Sequence, residues 1–388
     1  MFAEKLRQAR RDRGLSLRRL AGQVPCDPGL LSKLENGRAV PSERIATRLD
    51  SLLGCGGGLI GAASLHRSAA LDTDPAATSE LLQRIQASDT TPETLASLQE
   101  AVVELCCSYS TAPPLALRAQ AHGWLGRVGA LLHRPVGLRA HRELMVSAGW
   151  LALLAGCLEY DAGMAASARA TRRTAEQIGR EVDHPGLSGW AAEMSAWFAL
   201  TAGRYRAAID AAEQGLALAG ADPVAIQLHA HRAKALARLG DAAGVRDALA
   251  AGRRGLEVAP APERPDNHFV VDPEKWEHYA ADAYRMVGAD DLAERHAYAV
   301  IQASALPDGR VRQPMRTAEA ELTLSAVAVR RGDLEAALSH GLSGLAVPRR
   351  SLPSLTQIAG EVQAELAERY PAEPATATFR EAVRALRA

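Results

Sequence analysis

The chain has 388 residues, of which 47% are hydrophobic and 4% aromatic, and its 45 basic residues balance 45 acidic ones. This length predicts more than one domain, and the hydrophobic content is ample for packed cores. The longest apolar stretches, such as Trp150–Cys157, are too short to span a bilayer, and the five cysteines lack zinc-finger or Cys-x-x-Cys spacing. We therefore expect a soluble cytoplasmic protein with free thiols, no signal peptide, no membrane contact and no metal or other cofactor.

Residues 14–42 predict two short helices joined by a tight turn. Ser16 can cap the first helix, and Pro25 interrupts it because proline lacks an amide proton. Asp27, followed by a proline at the first helical position, is a strong signal for a new helix, and Gly37 supplies a left-handed end. Two short helices around such a turn form the helix-turn-helix unit, whose second helix enters the major groove of DNA.

The same stretch resembles the helix-turn-helix of the phage-repressor superfamily, often called the Xre family. The pattern of that family is matched here by Leu15-Ser16, Leu20-Ala21, Leu31-Ser32, Glu35, Gly37 and Pro41-Ser42. The resemblance implies a five-helix, lambda-repressor-like domain that binds double-stranded DNA as a homodimer. It also implies that Arg10 and Glu35 pair with each other in a structural role.

The resemblance places base reading at Pro28, Gly29, Ser32 and Lys33. Proline and glycine have no side-chain donor, so direct readout would depend on Ser32 and Lys33, with backbone and DNA shape contributing the rest. The other residues expected at the DNA are Arg18, Asp27, Asn36 and Arg38.

The charge of the first 50 residues favours the same interpretation. They contain eleven basic and six acidic residues, a net charge of +5 that is balanced by −5 over the rest of the chain. A basic end on a neutral protein is typical of a module that faces DNA.

The first domain is predicted to end near residue 65, which divides the chain into domains 1–65 and 66–388. Gly56-x-Gly58-x-x-Gly61 formally matches a dinucleotide-binding fingerprint. No strand precedes it, and no β-α-β unit surrounds it, so we interpret it as a linker or a helix-packing segment.

From residue 74 onward every periodic segment is helical, and a turn recurs at positions 161, 203, 240, 288 and 332, which lie 42, 37, 48 and 44 residues apart. This pattern of helix, turn and helix resembles tetratricopeptide repeats, whose minimal unit is about 34 residues. The predicted class is all-α: a helix-turn-helix domain followed by a right-handed α-solenoid of helical hairpins with a concave groove.

The whole chain is similar to an actinobacterial family that joins an Xre-type helix-turn-helix to a tetratricopeptide array. The residues that carry this similarity include Leu105-Cys106-x-x-Tyr109, Ala148-Gly149-Trp150-Leu151 and Pro273-Glu274-x-x-x-x-Tyr279. The resemblance implies a transcriptional regulator.

No catalytic constellation stands out, because the sequence has no His-Glu-x-x-His, Walker or Gly-x-Ser-x-Gly motif, so we expect no enzyme. The candidate ligand site is the concave face of the repeats. Counting back from the turns places these residues there: Trp190, Glu193, Trp197, Gln227, Lys234, Arg238, Lys275, His278, Asp282 and Arg285.

These observations favour a DNA-binding transcriptional regulator, with a repeat domain that dimerises and senses a small ligand, a peptide or a protein partner. A peptide is weakened as a candidate because the array has only one asparagine, Asn267, to hold a peptide backbone. The alternative is a repeat-based scaffold for protein contacts without sequence-specific DNA binding.

Overall fold

A computed structural model describes residues 2–24, 26–71 and 90–386 of the chain. Regular secondary structure in these ranges is α-helical, apart from a 3-10 turn at Ser108–Ser110 and one isolated bridge between Ala305 and Val311. The predicted all-α class is therefore confirmed. Pro25 and the first repeat residues from 74 to 89 lie outside the described residues.

Two compact units make up the chain, Met1–Gln86 (the N-terminal unit) and Ala87–Ala388 (the repeat unit). The described helices of the N-terminal unit are α1 (Phe2–Asp12), α2 (Leu17–Gln23), α3 (Pro28–Glu35), α4 (Glu43–Leu53) and α5 (Gly58–Leu71). Their apolar faces meet in one core, built around the fully buried Leu6, Leu20, Leu31, Leu34 and Leu49. Residue 65, where the sequence predicted the end of this domain, lies within α5.

The ends of α2 and α3 follow the predicted capping residues. The Ser16 hydroxyl accepts the Arg19 N–H at 3.2 Å, and Asp27 Oδ2 accepts the Leu30 N–H at 3.3 Å. Gly37 adopts φ 66°, and the Arg38 N–H then donates to the Lys33 carbonyl at 2.8 Å. This left-handed end satisfies carbonyls that the helix itself leaves free.

The glycine-rich stretch between α4 and α5 is a turn built around Asp50. The buried Asp50 carboxylate accepts the N–H groups of Gly57 and Leu59, both at 2.7 Å. Burial alone would raise the pKa of Asp50, but these backbone donors lower it below its ordinary value. The stretch therefore begins a helix, as the sequence indicated, and no strand precedes it in the described residues.

The repeat unit continues the chain with fourteen described helices. They are α6 (Pro92–Cys107), α7 (Pro114–Leu132), α8 (Leu138–Asp161), α9 (Ala165–Glu181), α10 (Pro185–Thr201), α11 (Tyr205–Ala219), α12 (Val224–Arg238), α13 (Ala242–Val258), α14 (Pro273–Met286), α15 (Asp290–Ser304), α16 (Pro314–Arg331), α17 (Leu334–Leu345), α18 (Leu352–Arg369) and α19 (Thr376–Ala385). Consecutive helices pack as antiparallel hairpins, so the unit is an array of helical hairpins.

Left-handed glycines end the first helices of the hairpins. Gly203, Gly240, Gly288 and Gly332 have φ between 71° and 85°, which confirms four of the five predicted turns. The prediction at Asp161 was wrong by two residues, because α8 extends through Asp161 and the left-handed residue is Gly163, with φ 78°.

The first helices of the hairpins (α8, α10, α12, α14, α16 and α18) line the inside of the array. Each packs against the next first helix, and α18 also packs against α8 and α10. Trp197 Nε1 of α10 donates to Ser354 Oγ of α18 at 3.0 Å, and Gln357 Nε2 of α18 donates to the Leu200 carbonyl at 3.2 Å. The inner helices thus form a ring, and the predicted concave groove is a narrow internal cavity.

In the described ranges, α8 alone is long and apolar enough to cross a membrane, and 78% of its most apolar window is buried inside the protein. The apolar run that the sequence analysis judged too short is therefore part of a longer helix. Its burial is that of a core helix. All five cysteines are free thiols, as predicted.

Candidate nucleic-acid interface and internal cavity

The outward face of α3 contains most of the residues predicted to contact DNA. All are exposed except Ser32, which is half-buried: Arg18, Asp27, Pro28, Gly29, Ser32, Lys33, Asn36 and Arg38. The opposite face of α3 buries Leu31 and Leu34 in the core. The helix therefore presents one polar face to solvent, at and beyond its amino end.

Three arginine contacts hold the carboxyl end of α3. Arg10 donates to both oxygens of the buried Glu35 carboxylate, at 2.5 and 2.9 Å, and to the Leu15 carbonyl at 2.7 Å. This confirms the structural pair that the resemblance implied. Arg7 donates to the Glu35 carbonyl at 2.6 Å and to Asn36 Oδ1 at 2.9 Å. The sequence analysis missed this contact, which occupies the oxygen of a side chain predicted to face DNA.

Gly29 has a structural reason for being glycine. A Cβ atom at this position would lie 2.5 Å from Asp27 Oδ2, the oxygen that caps α3. The cap and a side chain at residue 29 therefore compete for the same space. The absence of a side chain at one predicted reading position follows from the way the helix begins.

The eleven basic residues among the first 50 positions divide into two groups. Arg7, Arg10 and Arg13 bind backbone carbonyls or side chains of their own unit. The others are exposed: Lys5, Arg11, Arg18, Arg19, Lys33, Arg38, Arg44 and Arg48. Arg44 and Arg48 of α4 line a shallow surface groove beside Gln23, and the sequence analysis did not single them out.

The ring of inner helices in the repeat unit encloses a cavity of about 100 Å³. Its wall combines aromatic and charged side chains. Six of the ten residues predicted for the concave face line it, namely Glu193, Trp197, Gln227, Lys234, Lys275 and His278. This volume exceeds the roughly 10–15 Å³ that a single water requires, so the cavity has room for several waters.

The other four predicted residues lie behind the wall. Trp190 is a core residue, 2% exposed, whose ring packs on Phe269. Arg238, Asp282 and Arg285 form a buried ion network that α18 completes through Glu361: Arg238 donates to Asp282 at 2.9 and 3.0 Å and to Glu361 at 2.8 and 3.0 Å. Burial would raise the pKa of Asp282, yet Arg238 and Lys234 hold it well below its ordinary value.

One end of the cavity is built around Glu193. Its Oε1 accepts a hydrogen bond from Gln227 Nε2 at 2.6 Å and lies 2.6 Å from His231 Nε2. Gln227 Oε1 and His231 Nδ1 are buried and have no partner. The sequence analysis missed His231, which lies four residues after Gln227 on the same face of α12.

Glu319 of α16 is a second carboxyl that the sequence analysis missed. Its Oε2 lies 3.4 Å from His278 Nε2 and 3.9 Å from Lys234 Nζ, too far for a good hydrogen bond. Burial raises the pKa of Glu319 to about 7. Glu319 lies thirteen residues before the turn glycine Gly332, as Lys275 does before Gly288 and Gln227 before Gly240. This offset could have identified it.

Two cations occupy a further part of the wall. Lys275 Nζ donates to the carbonyls of His268 and Val270, at 2.7 and 3.0 Å. Burial and the nearby Arg316 lower the pKa of Lys275 to about 7. Arg316 Nη1 is buried without a hydrogen-bond partner and lies 3.7 Å from Asp272 Oδ2.

The remaining part of the wall joins α8 to the segment before α18. Arg349 donates to Asp161 Oδ2 at 2.9 Å and to the Tyr109 carbonyl at 3.0 and 3.2 Å, and the Tyr109 hydroxyl donates to the same Asp161 oxygen at 2.6 Å. Burial raises the pKa of Asp161 despite Arg349. Within the described residues, no group of three His, Cys, Asp or Glu side chains is placed to hold a metal ion.

Comparison with known proteins gives one match, at the amino end of the chain. Neither a curated protein nor a solved structure matches the chain. Residues 1–62 match the protein family described as helix-turn-helix domain. This match covers α1 to α4 and the start of α5, and supports a DNA-binding regulator.

Proposed function

We propose that this protein is a transcriptional regulator of the Xre type that binds double-stranded DNA as a homodimer in the cytoplasm. The observation that carries the proposal is the exposed face of α3, in a domain that matches the helix-turn-helix family. The amino end of α3 would enter the major groove, with exposed basic side chains on the flanking phosphates.

Few side chains of α3 would read base edges directly. Ser32 and Lys33 are the side chains on the outward face of α3 that can donate to base edges, since Pro28 and Gly29 offer none. Phosphate contacts and DNA shape would therefore supply much of the affinity. A homodimer would compensate for the small number of direct base contacts, because two half-sites about 34 Å apart must then be present together.

The second part of the proposal is that the repeat unit, a tetratricopeptide-like array, senses a small molecule in its cavity. The cavity is small and is lined by apolar surface together with buried side chains that have unused hydrogen-bonding atoms. Small-molecule sites are concave and combine apolar walls with a few convergent polar groups. The small volume of the cavity also favours a small molecule over a peptide or a protein partner.

The experiment selects duplexes from a random library with the full-length protein and measures affinity by fluorescence anisotropy. Lys33→Ala and Arg38→Ala should each weaken binding three- to tenfold and reduce the slope of log K against log salt by about 1. Arg253→Ala, an exposed arginine of the repeat unit, is the matched control and should leave both unchanged.

Failure to retain any duplex at low salt would refute DNA binding and favour the protein-contact scaffold. Light scattering on the free protein and on its complex with the selected duplex tests the dimer. A single copy of the chain on each selected duplex would contradict that part of the proposal.

A further inference from the structure

The cavity of the repeat unit holds more unused hydrogen-bonding atoms than a packed interior normally leaves. Four atoms of its wall are buried without a hydrogen-bond partner: Gln227 Oε1, His231 Nδ1, Arg316 Nη1 and Glu319 Oε2. Gln227 and His231 are only 2% and 3% exposed. Because unpaired buried polar atoms destabilise a fold, this set indicates an occupant that pairs with them.

Most charged side chains around the cavity are paired with one another, which limits the charge of an occupant. Asp161 pairs with Arg349, Asp272 lies near Arg316, and Asp282 and Glu361 pair with Arg238 and Arg285. Burial and nearby cations hold the pKa of His268 and His278 well below the ordinary histidine value, so both are neutral. A ligand with a net charge would leave that charge uncompensated in a buried site.

An unused acceptor and an unused donor lie on different inner helices. Gln227 Oε1 of α12 is an acceptor beside the Glu193 carboxylate, which two neighbours already fix. Arg316 Nη1 of α16 is a donor, and Lys275 Nζ of α14 lies in the same wall with two carbonyl partners. The occupant therefore needs a donating group at one end and an accepting group at the other.

Aromatic side chains line the cavity between the two groups of polar atoms. The Tyr279 ring lies 5.4 Å from the His231 ring on one side and 5.0 Å from the His278 ring on the other. Trp197 lines the same cavity and is fixed by its bond to Ser354. These flat surfaces suit a short carbon skeleton. The cavity volume of about 100 Å³ suits a small occupant, on the order of ten non-hydrogen atoms or fewer.

We propose that the cavity binds a small zwitterion of amino-acid size. Its ammonium group pairs with Glu193 and Gln227, and its carboxylate pairs with Arg316 and Lys275. This inference rests on the proposed ligand-sensing role of the repeat unit, and it specifies the chemical class of the ligand.

The test is calorimetric titration of the full-length protein with individual L-amino acids of up to about ten non-hydrogen atoms. Each amino acid is compared with the amine that lacks its carboxylate and with the acid that lacks its amine, for instance serine with ethanolamine and 3-hydroxypropanoate. At least one amino acid should bind one site in each chain, and both of its counterparts should bind at least tenfold more weakly. The proposal is wrong if no amino acid binds, or if a counterpart binds as tightly as its amino acid.

Two variants assign the ends of the ligand. Glu193→Gln should weaken the binding of the amino acid at least tenfold and change the binding of its acid counterpart little. Arg316→Gln should weaken the binding of both ligands. The controls are Glu257→Gln and Arg253→Gln, the same changes in an exposed pair, and they should bind as the unaltered chain does. Circular dichroism establishes that each variant is folded. Folded variants with unchanged affinity would contradict the assignment.

Measuring duplex binding in the same preparations separates this inference from the proposed regulator. If an amino acid binds and no duplex does, the ligand class is supported and the DNA-binding role is refuted. If a duplex binds and no amino acid does, the regulator stands and the zwitterion is refuted.

Discussion

Removing the carboxylate of Glu35 should destabilise the N-terminal unit and leave the stability of the repeat unit unchanged. Glu35 receives two hydrogen bonds from Arg10, and the two side chains are 6% and 14% exposed. In Glu35→Ala the Arg10 guanidinium keeps only the Leu15 carbonyl as a partner. Breaking a fully buried pair costs about 3–5 kcal/mol, and the remaining exposure of Arg10 reduces this to about 2–3 kcal/mol.

That loss is large for a unit of this size. A domain of about 70 residues has a free energy of unfolding of roughly 4–10 kcal/mol. A loss of 2–3 kcal/mol should therefore lower the melting temperature of this unit by roughly 10–20 °C. Hydrogen exchange measured on the full chain should show faster exchange in α1 to α5 and unchanged exchange in the inner helices of the repeat unit.

Two comparisons make this prediction specific. Glu43→Ala removes an exposed glutamate of the same unit and should change its stability by less than about 1 kcal/mol. Replacing both Arg10 and Glu35 by methionine should recover part of the loss, since no unpaired charge then remains buried. If Glu35→Ala melts as the unaltered chain does, the pair contributes nothing to the position of α3, and our explanation of this end of the helix is wrong.

Three further predictions concern single side chains. Gly29→Ala should destabilise α3 in the unaltered chain and stabilise it in Asp27→Ala, because the new Cβ and the capping oxygen would lie 2.5 Å apart; urea unfolding of the four proteins should give a coupling of about 1 kcal/mol. Glu319→Gln should gain up to about 3 kcal/mol of stability relative to the unaltered chain as pH rises from 4.5 to 7, because the folded-state pKa of Glu319 is raised to about 7, so that the folded chain keeps a proton that the unfolded chain loses. Equal stability differences between the two proteins at pH 5 and pH 8 would contradict this. Glu361→Ala removes the α18 partner of Arg238 and should speed hydrogen exchange in α18 more than in α10. Faster exchange in α10 than in α18 would contradict this.

The helix-turn-helix was predictable because its signals are local. Ser16 and Asp27 cap helices a few residues away, and Gly37 ends α3 by its own φ of 66°. The contact between Arg7 and Asn36 joins residues 29 positions apart and has no local signal. It could not be read from the types of the two residues alone.

In the repeat unit, the turns between neighbouring helices were predictable, whereas the contacts between helices far apart in the sequence were not. Left-handed glycines mark the turns, and the position thirteen residues before them supplies Gln227, Lys275 and Glu319 to one wall. Closure of the ring depends on contacts such as that between Trp197 and Ser354, which lie 157 positions apart. No periodicity within one hairpin predicts where the sixth first helix returns, because that depends on the small rotation accumulated at each repeat. The sequence therefore indicated six residues of the cavity wall and a concave groove, but not the closure of the ring.

The closure of the ring links the cavity to the stability of α18. This helix supplies Ser354, Gln357 and Ile358 to the wall and Glu361 to the ion network behind it. A ligand that contacts this wall binds the closed ring better than an opened one, so it stabilises α18 by its difference in affinity for the two arrangements. By the same linkage, a variant such as Glu361→Ala that opens α18 in a measurable fraction of molecules should weaken ligand binding in proportion to the closed fraction that is lost. A variant that frees α18 but leaves ligand affinity intact would show that the wall contributed by α18 is not part of the site.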